Sequence, residues 1–373
     1  MSASLRISWV PYYGHYLGNR LFAFTNTWTN HWQEGNVYLG QLAVERGHTM
    51  GTADTVDPLS ADVVVFLDYP QRRESVLSVK RNNPRAKTLL ILYESPLENP
   101  QWFDQRNHEY FDAVLTYNSK LVDGKRYFPL HLPIGNVPKP AASMNFAKRE
   151  LLVIINTNRY GGLLAQPRPW HYLNRLKELR ACGWRCTLHG LIHVRRGDLN
   201  PHRRRLARAS ERLGMNNVTV YGSGWEGRKT GWYYRLFPDK PYALAHGPAL
   251  CDKLELIGKY RFALAYENYA GNEGYISEKL FDALYAGTVP VYYGDSAITK
   301  YAPAECFVDG RLFRNAESLL KYLNACPSEE WDSYRSAGQA FVQSAAIRQF
   351  QPDCYARNIL DRVEALVHRH DGN

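Results

Sequence analysis

Residues Tyr260 to Gly294 read YRFALAYENYAGNEGYISEKLFDALYAGTVPVYYG. Phe262, Leu264 and Tyr266 alternate with Ala263 and Ala265, the period-two pattern of a buried strand, and Glu267 and Asn268 stand at its carboxyl end. Gly271 and Gly274 mark a loop. Ile276, Leu280, Ala283 and Leu284 then recur at helical spacing until Gly287, which is free to take the left-handed conformation that ends a helix. Val289 to Tyr293 forms a second strand, so the stretch is a β-loop-α-β unit. In open α/β sheets ligands bind beyond the carboxyl ends of the strands, where a helix N-terminus offers N–H groups to an anion. Glu278 and Lys279 lie in the first turns of this helix: a carboxylate for a ribose hydroxyl and an ammonium for a phosphate.

The same alternation extends over the rest of the chain. Leu5 to Val10 reads as a strand and Gly18 to Trp32 as a helix rich in aromatic residues. Ala61 to Leu67 (ADVVVFL) and Thr88 to Tyr93 (TLLILY) are continuous apolar runs of the kind buried on both faces of a parallel sheet. Phe111 to Tyr117 and Tyr127 to Leu132 follow, which predicts a Rossmann-like sheet. The proline-bearing segment Pro133 to Ala147 is the linker candidate. A second α/β unit begins at Leu151 (LLVIINT), continues through a helix near Trp170 to Ala181, and contains the quoted stretch. Ile359, Leu360, Val363, Leu366 and Val367 give Asn358 to His368 helical spacing, a packing helix expected to cross back to the first domain. A chain of 373 residues suits two such domains. The boundaries are drawn at 1–148 and 149–345, with 346–373 as the returning helix.

Composition narrows the partners. The net charge of +10 favours an anionic ligand or an acidic surface. Much of the excess lies between Arg195 and Arg212, where Arg195, Arg196, Arg203, Arg204, Arg205, Arg208 and Arg212 crowd one expected helix. Its face is either simply solvated or a peripheral contact with acidic lipid headgroups. No nucleic-acid module accompanies the arginines. No apolar run approaches the roughly 20 residues of a spanning helix, and the first residues lack the pattern of a signal peptide. The six cysteines (Cys182, Cys186, Cys251, Cys306, Cys326, Cys354) follow no framework spacing and read as reduced, which points to the cytoplasm.

The quoted stretch resembles the donor-binding motif of the α1,3/α1,4-fucosyltransferases, glycosyltransferase family 10. The matching residues are Glu267, Asn268, Tyr275, Glu278, Lys279, Leu280, Gly287, Val289, Pro290, Val291 and Gly294. Tyr269 stands where the family has serine, and the spacer from Asn268 to Tyr275 is one residue longer than usual. The absence of the family's animal-type C-x-x-C bridges favours a soluble, bacterial-type member. The resemblance implies a GT-B fold, two Rossmann-like domains facing a central cleft, with acceptor bound by the first domain and GDP-sugar by the second. It also implies inverting transfer of L-fucose from GDP-β-L-fucose to a saccharide hydroxyl, α1,3 in linkage, with no cofactor or metal required.

Glu94, directly after a buried strand in YESPLENP, is the candidate general base; an inverting transfer needs one carboxylate to take the acceptor hydroxyl's proton. Glu98 and Glu267 are its rivals. Charge growing on the leaving diphosphate calls for cations. Lys279 supplies one, and the resemblance places an arginine after the first strand of the second domain, at Arg168 or else Arg159. Asn156 and Asn158 end that strand as nucleotide contacts or turn residues, and Tyr221 and Gly222 are expected to line the donor pocket. Glu267, Asn268 and Tyr275 shape the sugar and phosphate site. Gly222 to Gly227 spells G-x-G-x-x-G, but the Gly-, Trp- and Pro-rich run after it is no helix, so a dinucleotide-binding reading fails. His189 and His193 lack a third metal ligand, and His193-Val194-Arg195-Arg196 is a chance likeness to other fucosyltransferases. Another GDP-deoxysugar as donor, or a catalytically silent glycan- or nucleotide-binding protein on the same scaffold, are the competing functions.

Overall fold

The computed structural model describes residues 4–23, 31–68, 73–95, 105–135, 145–158, 197–227, 241–248, 251–271 and 273–368. The first part of the chain supplies β1 (Arg6–Pro11), α1 (His31–Glu45), β2 (Thr49–Thr52), β3 (Val63–Leu67), α2 (Arg73–Asn82), β4 (Lys87–Leu92), β5 (Ala113–Thr116) and β6 (Tyr127–Pro129). All six strands are parallel, in the order β2-β1-β3-β4-β5-β6. β3 is buried along its whole length and β4 from its second residue, as their unbroken apolar sequences require. The second part supplies β7 (Glu150–Ile155), α3 (Asn200–Arg212), β8 (Val218–Tyr221), α4 (Lys253–Ile257), β9 (Tyr260–Tyr266), α5 (Glu278–Tyr285), β10 (Val289–Tyr293), β11 (Val308–Asp309), α6 (Ala316–Ala325), α7 (Ser328–Val342) and α8 (Pro352–His368). Its strands form a second parallel sheet, β11-β10-β9-β7-β8.

Alternation along β9 divides the second domain into two layers. Phe262, Leu264 and Tyr266 pack with Leu206 of α3 and Leu319 and Leu320 of α6. Ala263 joins Leu256 of α4 and Ala283 of α5, and Ala265 joins Leu280, Phe281 and Leu284 of α5. The last helix, α8, returns to the first domain: Tyr355, Ile359, Leu360 and Val363 lie in one core with β1, β3 and β4. Arg46, at the end of α1, pairs with Asp361 at 2.6 Å and Glu364 at 2.9 Å.

Two features differ from the sequence reading. Gly18 to Trp32 is not one helix: it contains a short turn at Arg20–Phe22, and the described part of α1 is His31–Glu45. Gly18 and Asn19 have φ of 68° and 59°, left-handed values that no α-helix can propagate. Asn19 instead fastens this turn to β2, its Oδ1 accepting from Thr52 N at 2.8 Å and Thr55 Oγ1 at 2.7 Å. The second difference concerns the basic run, whose described helix begins at Asn200. Trp170 to Ala181, His189, His193, Arg195 and Arg196 lie outside the described residues. Among the described residues no helix is long and apolar enough to cross a membrane, and Cys251, Cys306, Cys326 and Cys354 carry free thiols.

Each sheet has one point where strand order reverses: between β1 and β3 in the first, between β7 and β9 in the second. Parallel sheets open a crevice at such points, on the carboxyl side of the strands. Asp68 stands at the first, and Asn156 and Glu267 at the second.

Candidate active site

On the second domain the site is assembled around the N-terminus of α5. Ser277 is the N-cap, in extended conformation. Glu267, the residue after β9, is fully buried, and its two oxygens accept from Ser277 N at 2.8 Å and Ser277 Oγ at 2.6 Å. The same hydroxyl accepts from Lys279 Nζ at 2.9 Å, which also donates to Glu278 Oε1 at 3.3 Å and lies 3.7 Å from Glu267. A buried carboxylate thus holds a serine, and the serine holds the ammonium at the rim of the helix end. Burial pushes the Glu267 carboxyl up, against the pull of Lys279 and Ser277. Burial acts the same way on Glu278, but Lys279 and Lys253 overcome it and hold that carboxyl down at about 2. Lys253 is anchored in turn on Asp282 at 2.5 Å.

On the first domain Glu94 follows β4 in a turn held by Asp68. Asp68 is buried with φ 59°, and its Oδ1 accepts from both Tyr93 N at 2.8 Å and Glu94 N at 2.9 Å. A side-chain carboxylate in place of a backbone acceptor turns the chain out of the sheet at this point, presenting Glu94 at its carboxyl edge. Tyr117 Oη donates to the Glu94 carbonyl at 3.1 Å, and its ring meets that of Tyr275 at 5.0 Å. Tyr275 lies two residues before the α5 cap, so these contacts run without a break from Glu94 to Ser277. Electrostatics agree with the geometry. Burial raises the Tyr275 hydroxyl well above its usual range, and the charges of Glu94, Glu267 and Glu278 add to the effect. Tyr93 is raised by burial and then by Tyr355, Glu278 and Glu94. Glu94 and Glu278, from different domains, therefore act on the same two phenols.

The domains meet through the loop before α5. Gly274, φ 90°, lies so close to Tyr117 that a Cβ would fall 2.0 Å from its carbonyl oxygen. Glu273 pairs with Lys120 at 3.1 Å and accepts from Ser119 N through its carbonyl at 3.3 Å. Glu94 thus stands on the first domain's side of this seam, tied through Tyr117, and Lys279 on the second domain's side, held by Ser277.

Compared with solved structures, the chain aligns over 98% of its length with an α1,3-fucosyltransferase in complex with GDP-fucose, at a TM-score of 0.50 and 14% identity, covering 91% of that chain. It aligns over 97% of its length with Anabaena Alr3699/HepE in complex with UDP and glucose, at a TM-score of 0.51 and 10% identity, covering 100% of that chain. The fold is GT-B. Residues 200–337 match the model of glycosyltransferase family 10 (fucosyltransferase), C-terminal part. The α1,4-fucosyltransferase of Arabidopsis thaliana is 36% identical over 87 residues, 22% of this chain and 21% of that protein. The α1,3-fucosyltransferase FucT of Helicobacter pylori is 33% identical over 72 residues, 19% of this chain and 15% of that protein. The chain thus matches no more than 21% of the length of these two relatives.

The segment matching family 10 contains a residue that the sequence reading assigned to a solvated face. Arg203 is buried, and its guanidinium donates to Asn200 Oδ1 at 3.0 Å, to the Tyr266 carbonyl at 2.5 Å and to Asn268 Oδ1 at 3.0 Å. Burial lowers it to about 10, and the charges of Glu267, Tyr275, Asp198 and Glu278 work against that fall. Its Nε has no hydrogen-bond partner among the described residues. The signal was present: Arg203 precedes Leu206 and Ala207 by three and four positions, on the face α3 turns to the core.

Other expected residues fall as follows. Arg168, Arg159 and Glu98 lie outside the described residues. Glu267 has no exposed surface and Tyr275 almost none, so both act here by positioning their neighbours. Asn268 is half-buried and fixed by Arg203. Tyr221 stacks on His246 at 5.4 Å, and Gly222, φ 135°, leaves only 2.1 Å between an added Cβ and the Asn156 carbonyl. Asn156 and Asn158 hold this strand-end loop, through Trp225 Nε1 to Asn156 O at 2.5 Å and Asn158 Nδ2 to Gly224 O at 2.9 Å. The side-chain carbonyls of both asparagines are buried and have no hydrogen-bond partner among the described residues, two acceptors at the strand reversal.

Proposed function

We propose that the protein transfers L-fucose from GDP-β-L-fucose to a saccharide hydroxyl with inversion, forming an α1,3 linkage. The first domain holds the acceptor and Glu94 takes its proton. Lys279, with Arg168, neutralises the pyrophosphate, Glu278 binds the ribose, and Asn156, Tyr221 and Gly222 border the nucleotide. These side chains and the start of α5 supply the positive charge that a departing diphosphate needs, without a metal ion. The reading assigns the protein to the cytoplasm, a reducing compartment that suits its free thiols.

The observation that carries the proposal is the contact of Tyr117 with Tyr275, which ties the Glu94 turn to the loop feeding Lys279. The α1,3- and α1,4-fucosyltransferases among its relatives support the donor and the reaction class. The test is incubation with GDP-fucose and a panel of lactose, N-acetyllactosamine and their isomers, with GDP release and the product linkage read by NMR. Glu94→Gln and Lys279→Ala should each slow transfer about a hundredfold, roughly 3 kcal/mol of transition-state stabilisation. A Glu94→Gln enzyme turning over at the parent rate would remove the base. A different GDP-deoxysugar turning over faster than GDP-fucose would change the donor.

A further inference from the structure

A cavity lined by described residues lies away from the α5 N-terminus. It is a groove of about 850 Å³ between α3 and the start of α6. Six arginines line it: Arg204, Arg205, Arg208 and Arg212 from α3, and Arg311 and Arg314 from the segment before α6. Glu317 is the one carboxylate among the described lining residues. Among the described residues Arg208 pairs with Glu211 at 2.9 Å, Arg212 with Glu317 at 3.0 Å and Arg311 with Asp309 at 2.6 Å. Arg205 and Arg314 are exposed and have no ion-pair partner among the described residues.

This arrangement opposes the helix that carries it. Arg204, Arg208 and Arg212 repeat at four-residue spacing, where like charges destabilise a helix by about 0.2–0.5 kcal/mol per pair. The field is felt by His202 in the groove wall, lowered by burial and then by Arg205. Aromatic side chains, Tyr242, Tyr293 and Phe313, supply apolar faces between the cations, and Arg208 stacks on Tyr242 at 3.6 Å. Guanidinium forks match phosphate oxygens in pairs and tolerate stacking on rings.

We propose that the groove is a second anion site, which takes a phosphate or diphosphate ester and is separate from the donor site. The two sites lie on opposite faces of the sheet. Tyr266 turns into the groove with the α3 and α6 layer, whereas Ala263 and Ala265 turn to α4 and α5, whose N-terminus carries Lys279. Arg203, alone among the described arginines of α3, turns inward to Asn268. The ester belongs either to a soluble phosphorylated saccharide or to the headgroup of an anionic lipid.

The test titrates the full chain with inorganic pyrophosphate in the presence of saturating GDP, by calorimetry, alongside the double variant Arg205→Glu, Arg314→Glu. Both positions are exposed, so the variant should keep the parent's unfolding temperature and its GDP affinity. Pyrophosphate should bind despite the GDP, at least tenfold more weakly in the double variant, and more weakly still as salt rises. Binding abolished by GDP, or equal in parent and variant, would overturn the second site. Sedimentation with phosphatidylcholine vesicles, with and without phosphatidylglycerol, then separates the sources. Capture by the anionic vesicles that pyrophosphate reverses identifies a headgroup, and no capture identifies a soluble ester.

Discussion

Replacing Ser277 by alanine removes one hydroxyl and probes how Lys279 is held. That oxygen donates to buried Glu267 at 2.6 Å, accepts from Lys279 Nζ at 2.9 Å and caps α5. Loss of an N-cap costs about 1 kcal/mol. Loss of a hydrogen bond to a buried ionised group costs about 1.5–3 kcal/mol. The backbone N–H of Ser277 still serves Glu267 at 2.8 Å, so the two terms together give roughly 3 kcal/mol. At about 2–4 °C per kcal/mol for a domain of this size, Tm should fall by about 6–12 °C. The sign of the pH dependence follows from Glu267. Burial raises its carboxyl above the ordinary 4.5, so its contribution to stability is present below that value and is lost as pH rises through the raised one. Ser277 supports only the ionised form, and the deficit of the alanine variant should narrow as pH falls. The measurements are thermal unfolding across pH and calorimetric titration with GDP, whose affinity should drop because Lys279 loses its shortest contact. Ser277→Thr, which keeps the hydroxyl, should recover both. If Ser277→Ala unfolds at the parent temperature and binds GDP equally well, the chain from Glu267 through Ser277 to Lys279 does not hold the site.

Gly274→Ala should destabilise the protein by at least about 2 kcal/mol, since alanine resists a positive φ and its methyl would meet the Tyr117 carbonyl; an unchanged urea midpoint would show that the domains do not meet there. Asp68→Ala unhooks the Glu94 turn and should lower kcat at least tenfold, about 1.4 kcal/mol, with GDP affinity unchanged, while Asp68→Asn, which keeps an acceptor oxygen, recovers part of the rate. Glu278 is held down at about 2 by Lys279 and Lys253 against its burial, so its contribution is present above the ordinary carboxyl value of 4.5 and is lost as pH falls towards 2. Glu278→Gln should accordingly flatten the acid limb of the stability curve, and an acid limb identical to the parent's would show that this carboxylate is not ionised by its lysines.

What the sequence disclosed was whatever repeats. The continuous apolar runs of β3 and β4, the alternation along β9 and the glycine stop after α5 are periodic or positional signals, and each marks an element where the chain has one. β2 escaped notice because four residues, Thr-Met-Gly-Thr, carry no period, and its place is fixed by pairing with β1. The turn at Gly18 and Asn19 was hidden behind aromatic residues that suggested a helix; the deciding contacts come from Thr52 and Thr55, more than thirty positions away. Charged residues were the hardest to place. Sequence gives the identity of Arg203, Glu267 and Asp68 but not whether each faces water, because only a folded partner makes burying a charge tolerable. Helical spacing was enough to turn Arg203 inward. Nothing local marked Asp68, whose role depends on a strand that returns beside it.

The residues that fix the positions of Glu94 and Lys279 are largely buried ones. Asp68 fixes the Glu94 backbone, Tyr117 ties that turn to Tyr275, and Glu267 fixes Ser277, which holds Lys279. Each is a buried polar group with a directed partner, so its geometry varies less than that of an exposed side chain that must be immobilised on binding. The same links cross the domain boundary at Tyr117 and Gly274, and α8 adds a second crossing by packing its apolar face into the first domain's core. A chain joined at both ends of its second domain has fewer ways to open than one joined by a single linker. The relative placement of Glu94 and Lys279 is therefore a property of the packed seam, and if the proposed roles hold, substitutions there should alter rate at positions that touch neither sugar nor phosphate.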